Sequence, residues 1–352
     1  MFQNELKIAA DLVNTVFNQS DYCDAIKPSY LREAVLSYPR NGGKRLRPAI
    51  LLWFCQALGG STDQSKHIAS ATELFHTWTL VHDDIIDQDI SRRGQATAHV
   101  ALSEVAQEQF GTETKQADHF GTSMAILTGD LLQSWTYHFL TEAKIPAKTL
   151  LTIFKRINDE LYPLLLAGEA LDVEFEHRAL DDISEEEIIE MLSLKTGFLL
   201  QFSAETGALI ALDSDYQNET VIEAGKFAMK AGLGFQICDD ILGVYANHQD
   251  WGKPVGNDIR ERKVTLLIKR TLELCSQEDH QYLLQELGNK DLSTDALEKI
   301  RQIIRQCGAL EQITQLAEQY IEDSVKHLDC LEDGKYKDLL NEMAQFLIKR
   351  EY

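Results

Sequence analysis

Apolar residues recur at three- and four-residue spacing over most of this chain, as in "AVLSY", "HIASATELFHTWTLVH" and "TIFKRINDELYPLLLAGEALDVEF", and only six prolines interrupt 352 residues. That period gathers the apolar side chains onto one stripe of each segment, so an all-α fold is expected. Turn residues mark the breaks at Gly59-Gly60-Ser61, Arg93-Gly94-Gln95, Asp213-Ser214-Asp215, the stretch 247–257 and Gly288-Asn289. Ser184 followed three residues later by Glu187 predicts a capping box at the start of one helix. The length allows two domains or one sizeable helical one. No linker rich in Pro, Gly or Ser divides the chain and no fixed-period repeat appears, so residues 1–352 read as a single helical domain.

Fifty-six acidic against 34 basic residues give a net charge of -22. Such a surface repels a phosphate backbone, which argues against nucleic acid as a partner. Against that background, a cluster of Lys and Arg calls for a local anion. The six cysteines, at 23, 55, 238, 275, 307 and 330, show no C-x-x-C pair or regular spacing and read as reduced core residues. The N-terminal "MFQNELKIAADLVNTVF" is amphipathic but carries Glu5 and Asp11, so it is neither a secretion signal nor a membrane span. A cytoplasmic protein with no integral membrane segment is expected.

The stretch "LVHDDIIDQD" sets Asp83, Asp84, Asp87 and Asp89 beside Leu80, Val81, Ile85 and Ile86. On a helix Asp83 and Asp87 lie one turn apart on one face, with Asp84 flanking them, and like charges so placed repel. A lone D-D-x-x-D is commonly just a solvated acidic face. Here the neighbours are apolar, and a partial echo follows in "GFQICDDILGVY", where Asp239 and Asp240 recur and Gly243 stands in place of the third carboxylate. Hard divalent ions, chiefly Mg2+, turn such repulsion into a binding site, and Mg2+ is typically shared between carboxylates and substrate phosphates. The complement is basic. "NGGKRLRP" places Lys44, Arg45 and Arg47 behind two glycines that let a backbone approach an anion, and "SRRG" places Arg92 and Arg93 just beyond the first acidic cluster.

In order along the chain, "GGKRLRP", "ELFHTWTLVHDDIIDQDISRRGQATAH", "AILTGDLL", "LKTGFLL" and "GFQICDDILGVYANHQDWGKPVGNDIRERKVTLL" resemble the motif set of the trans-isoprenyl diphosphate synthases, or polyprenyl synthetases, over about residues 40 to 270. The resemblance implies helices around a deep central cavity, usually in a homodimer, with the two aspartate motifs facing each other across its mouth. It implies head-to-tail addition of isopentenyl diphosphate to an allylic diphosphate (dimethylallyl, geranyl or farnesyl) with release of pyrophosphate. It also implies Mg2+, three ions with the allylic diphosphate bound, ligated by Asp83, Asp87 and Asp239, with Asp84, Asp240 and Asp258 in support. Arg92, Lys195, Lys253 and Lys263 match positions that grip the allylic diphosphate, and Lys44, Arg47, His76 and Arg93 those that grip isopentenyl diphosphate. Thr196 and Gln236 match positions beside the reacting carbons, whereas His82 is assigned a structural place.

Product length falls to the side chains upstream of Asp83 on the same helix: Phe75, Trp78 and Thr79. In the family a bulky aromatic such as Trp78, without an insertion in the first motif, goes with products of geranylgeranyl (C20) size; packing against a neighbouring helix is the other account of Trp78, and a farnesyl or longer product the alternative outcome. Three residues depart from the family pattern: Gly243, Glu169 in "GEALD" where Gln is usual, and Arg262 before Lys263. A terpene cyclase would share the first aspartate motif but needs no isopentenyl site, and Lys44 with Arg47 speaks against it. A non-catalytic subunit of a heteromeric synthase would have lost aspartates or basic residues that this chain largely keeps.

Overall fold

Helix signals are met at both ends of the element that matters most. Ser61 accepts the Gln64 N–H while the Gln64 side chain answers the Ser61 N–H, and this capping box opens a 25-residue helix, α4 (Thr62–Ile86). The helix stops at Asp87: Gln88 adopts a left-handed φ of 56°, the Asp89 N–H reaches the Asp84 carbonyl at 3.0 Å and the Gln88 N–H that of Ile85 at 3.4 Å, a Schellman closure. The computed structural model describes residues 1–245 and 256–348. Among these no helix is long and apolar enough to cross a membrane.

The contacts divide the chain into two compact units. The first comprises residues 1–154 and 206–215. It holds α1 (Phe2–Gln19), α2 (Ser29–Arg40), α3 (Leu46–Ala57), α4, α5 (Ala98–Phe110), α6 (Thr114–Thr141) and most of α7 (Ala147–Arg156). α6 packs along both α4 and α5, and α3 along α4. Phe54, Phe75, Leu51, Leu74, Leu132 and Trp135 fill the core, each worth about 1.5–3 kcal/mol when removed from water. The expected break after Arg92 is a two-stranded hairpin, β1 (Ser91–Arg92) with β2 (Gln95–Ala96). Both central residues have positive φ, Arg93 at 54° and Gly94 at 75°, as a type I′ turn requires.

The second unit comprises residues 155–205 and 216–352. Its elements include α8 (Tyr162–Phe175), α9 (Glu185–Leu192), the first half of α10 (Phe198–Leu212), α11 (Glu219–Tyr245), the short α12 (Asn257–Arg260), α13 (Leu266–Leu274), α14 (Gln277–Glu286), α15 (Thr294–Gln306), α16 (Ala309–Lys326) and α17 (Lys335–Ile348). α11 packs along α16 over an aliphatic core that includes Ile237, Ile241, Leu267, Ile300 and Ile313. The predicted Ser184–Glu187 capping box opens α9. A single π-helical turn, Ser193–Gly197, links α9 to α10. No cysteine is in a disulfide.

Candidate active site

In the first unit the C-terminal turns of α4 carry the acidic motif. Asp83 and Asp87 are half-buried and Asp84 is fully buried. The carboxylates cluster at the end of a helix whose dipole is already negative there, so a cation is required nearby. Arg92 supplies one: its Nη2 lies 3.0 Å from Asp83, 2.5 Å from Asp84 and 3.6 Å from Asp89. Its Nε donates to Asp84 Oδ1 at 2.6 Å. The Tyr38 hydroxyl donates to Asp84 Oδ2 and accepts from the Ala98 N–H at 3.2 Å. Asp84 is therefore a buried anchor for Arg92 and Tyr38. Burial pushes its carboxyl above the usual range although Arg92 pulls the other way. Nothing in the motif singled out Tyr38, which is 46 residues away.

The basic loop between α2 and α3 lies in the same unit. Gly42 and Gly43 have φ of 76° and 138°. A Cβ at Gly43 would lie 2.9 Å from both terminal nitrogens of Arg93, and Arg93 donates to the Gly42 carbonyl. The close approach that glycine permits at residue 43 is thus by a guanidinium; the sequence suggested an anion. Lys44 is exposed and Arg47 half-buried. Burial lowers Arg47 to about 10, with the Glu73 charge opposing. Burial, then the charges of Arg47 and Arg93, hold His76 neutral, well below its ordinary pKa. Among the described residues, Arg47 Nε is buried without a hydrogen-bond partner. Cations crowded together with an unanswered donor form a receptive place for an anion.

Further back on α4, Phe75 and Trp78 are 1% and 3% exposed and meet edge to face at 5.1 Å. The Thr79 hydroxyl donates to the His76 carbonyl. His82 lies 5.7 Å from the Trp78 ring. It fills the space over Gly129 of α6, where a Cβ would come within 2.1 Å of its Nε2, and that nitrogen is 3.3 Å from the Ile126 carbonyl.

In the second unit, α8 presents Glu169 and Asp172, and Glu176 caps its end, at i, i+3 and i+7. Lys195, from the π-turn, contacts Glu169 at 2.9 Å and Asp172 at 2.7 Å. Lys263 contacts Asp172 at 3.2 Å and Glu176 at 2.7 Å. Burial would raise Asp172, but the two lysines outweigh it and hold the carboxyl below its usual range. Gly168 makes room for the π-turn, whose Lys195 nitrogen would stand 2.4 Å from a Cβ. Sequence reading weighed Glu169 and passed over Asp172 and Glu176; the helical spacing within "GEALDVEFE" carried the signal. Arg262 donates to the carbonyls of Glu176, which caps α8, and of Arg178, the latter at 3.2 Å, tying the turn before Lys263 to the end of α8. Lys253 lies outside the described residues.

Thr196 donates to Gln236 Oε1 at 3.2 Å, and Gln236 Nε2 donates to Asp240 Oδ1 at 3.0 Å. Among the described residues, Asp240 Oδ2 is buried with no hydrogen-bond partner. Burial, then the Asp258 charge, raises its carboxyl well above the usual range. Gly243 accounts for its own departure from the pattern. A Cβ there would stand 2.3 Å from Asp258 Oδ2, so the Asp258 carboxylate fills the space that a side chain at 243 would take. Asp239 is half-buried one residue before Asp240.

The oxygens on offer in each unit fit magnesium: they are carboxylate, and in the second unit Asp240 Oδ2 is buried with no hydrogen-bond partner among the described residues. A hard ion completed by substrate phosphate and water suits such a set.

Comparison with known proteins agrees with this geometry. The family model described as Polyprenyl synthetase matches residues 28–304. The geranylgeranyl diphosphate synthase of Sulfolobus acidocaldarius is 35% identical, with 99% of this chain and 98% of that protein covered. The crystal structure of geranylgeranyl pyrophosphate synthetase from Pyrococcus horikoshii superposes with a TM-score of 0.84 at 31% identity, over 99% of this chain and 98% of that one. The geranylgeranyl pyrophosphate synthase of Corynebacterium glutamicum, solved with isoprenyl diphosphate and magnesium, gives 0.86 at 26% identity over the whole of both chains. This chain belongs to the polyprenyl synthetase family, and its fold is the all-α isoprenoid synthase fold.

Proposed function

We infer that the protein joins isopentenyl diphosphate head to tail to an allylic diphosphate, releasing pyrophosphate, with geranylgeranyl diphosphate (C20) as product. The observation that carries this is on α4. One helix bears His76 within the influence of Arg47 and Arg93 and, seven residues on, Asp83, about 10 Å along the axis at the usual rise. A cationic cluster at His76 and an acidic pair further along the same helix suit two diphosphates, whereas a cyclase ionising one substrate needs only the second.

When bound at Asp83, Asp87 and Asp239, magnesium supplies the positive charge that stabilises departing pyrophosphate. Arg92, Lys195, Lys263 and Lys253 hold the allylic diphosphate; Lys195 and Lys263 reach it from carboxylates that hold them in place. Lys44, Arg47 and Arg93 hold isopentenyl diphosphate, with neutral His76 donating a hydrogen bond. Thr196 and Gln236 set hydroxyl and amide dipoles beside the carbon that becomes cationic. Trp78, backed by Phe75 and flanked by Thr79, ends the space for the growing chain. A homodimer would cover the exposed Ile126 and Leu127 of α6, and six cysteines outside any disulfide suit the reducing cytoplasm.

The test is incubation of purified protein with Mg2+, isopentenyl diphosphate and, separately, the C5, C10 and C15 allylic primers, with identification of the products. A C20 diphosphate is expected and EDTA abolishes it. A protein that consumes no isopentenyl diphosphate overturns the reading; turnover of the allylic diphosphate alone indicates a cyclase.

A further inference from the structure

Arg45 lies between two residues assigned to isopentenyl diphosphate, Lys44 and Arg47, yet its side chain takes another direction. It is 3% exposed. Its Nη1 donates to Glu73 Oε1 at 2.6 Å, and its Nη2 to the Pro39 carbonyl at 2.5 Å and to Asn14 Oδ1 at 3.3 Å. The Phe17 ring centre is 5.7 Å from the guanidinium carbon. One guanidinium thus joins α1, the end of α2, the basic loop and α4. Its backbone is left-handed, φ 50° and ψ 39°, a conformation that a non-glycine residue holds only when its surroundings enforce it. That turn sets the directions in which Lys44 and Arg47 leave the chain.

Glu73 gives the arrangement a second consequence. It is 3% exposed, lies three residues before His76, and its charge acts on both Arg47 and Arg93. A buried carboxylate robbed of its partner takes another cation if one is within reach. Arg47 and Arg93 are the cations at hand.

We propose that Arg45 is a positioning residue for isopentenyl diphosphate: bound to Glu73, Pro39 and Asn14, it fixes the left-handed turn of the basic loop and occupies Glu73, leaving Arg47 and Arg93 for the diphosphate. The proposal rests on the functional reading above. It differs from a general structural role in acting on one substrate only.

The test compares the parent with Arg45→Met, Arg45→Lys and Glu73→Gln by thermal unfolding, by calorimetric binding of isopentenyl diphosphate without primer, and by steady-state kinetics on both substrates. Arg45→Met raises Kd and KM for isopentenyl diphosphate by about tenfold or more, while KM for the allylic primer rises far less. Arg45→Lys restores part of the affinity, because an ammonium reaches Glu73 but does not fork to Pro39 and Asn14 as well. Glu73→Gln shows the same selectivity with a smaller effect. Unchanged isopentenyl diphosphate affinity in folded Arg45→Met, or equal rises in both KM values, overturns the proposal. If Arg45→Met does not fold, Asn14→Ala and Glu73→Gln carry the comparison, and parental affinity in both overturns it. A parent that binds no isopentenyl diphosphate overturns the functional reading and this proposal together; a parent that binds it no better than its variants overturns this proposal alone.

Discussion

Gly243→Ala separates stability from activity in the second acidic motif. The added Cβ would stand 2.3 Å from Asp258 Oδ2 and 3.3 Å from its Cγ, so the carboxylate must retreat by roughly 1 Å to reach ordinary contact. The backbone there is pinned: the Gly256 N–H bonds the Gly243 carbonyl at 3.0 Å, and the Asp258 carbonyl accepts from Lys263 N at 2.8 Å. The adjustment falls on the Asp258 side chain, which gives way by leaving its rotamer at about 0.5–1.5 kcal/mol. Alanine in a helix interior returns about 1 kcal/mol relative to glycine. The two offset to within about 0.5 kcal/mol, a Tm change of about 1 °C for a unit of roughly 200 residues. Activity should respond differently. With Asp258 displaced from beside Asp240, turnover falls about 10–100-fold and the Mg2+ needed for half-maximal rate rises, as is usual when a group supporting a metal site is moved. Thermal melting and Mg2+ titration of the steady-state rate measure both. Parental turnover with an unchanged Mg2+ requirement refutes a role for the Asp258 approach; a Tm drop beyond about 5 °C shows instead that the backbone, not the side chain, yields.

Arg47→Ala should raise KM for isopentenyl diphosphate by about tenfold or more with little change for the allylic primer, because its buried Nε and lowered pKa belong to the first cluster alone; steady-state kinetics on each substrate decides it. His76 makes stability pH-dependent: its folded pKa lies well below the ordinary 6.5, so the unfolded state binds the proton more readily and stability falls as pH drops below about 6.5, with no contribution above it. Urea midpoints at pH 7.5 and about pH 5.5 test this, and His76→Gln should lose part of the difference even though His67 and His99 are lowered too. Trp78→Ala, which empties a site 3% exposed, costs about 3–5 kcal/mol and should lengthen the product by at least one isoprene unit, read by mass spectrometry; an unchanged product in a folded variant removes Trp78 from the role of floor.

What the sequence disclosed and what it withheld divide along a physical line. Helical period, caps and the one-turn spacing of Asp83 and Asp87 are local, and local spacing is printed in the chain. That spacing sets Asp84 beside the Asp83–Asp87 pair but does not say which of the three is sealed inside. Burial tells them apart: Asp84 is fully buried and bound to Tyr38 and Arg92, whereas Asp83 and Asp87 are half-buried, so only a fold can say which carboxylate is spent on structure. Distance in the chain hides partners in the same way. Arg45 and Arg47 are two letters apart in one basic run, yet one is 3% exposed and sealed by a carboxylate 28 residues on and the other is only half-buried. Gly243 shows the reverse case. Read along the motif it is a missing carboxylate, but the space it leaves is taken by a carboxylate from Asp258, fifteen residues later in the chain. The charge at that point of the second unit is therefore set by where α12 begins.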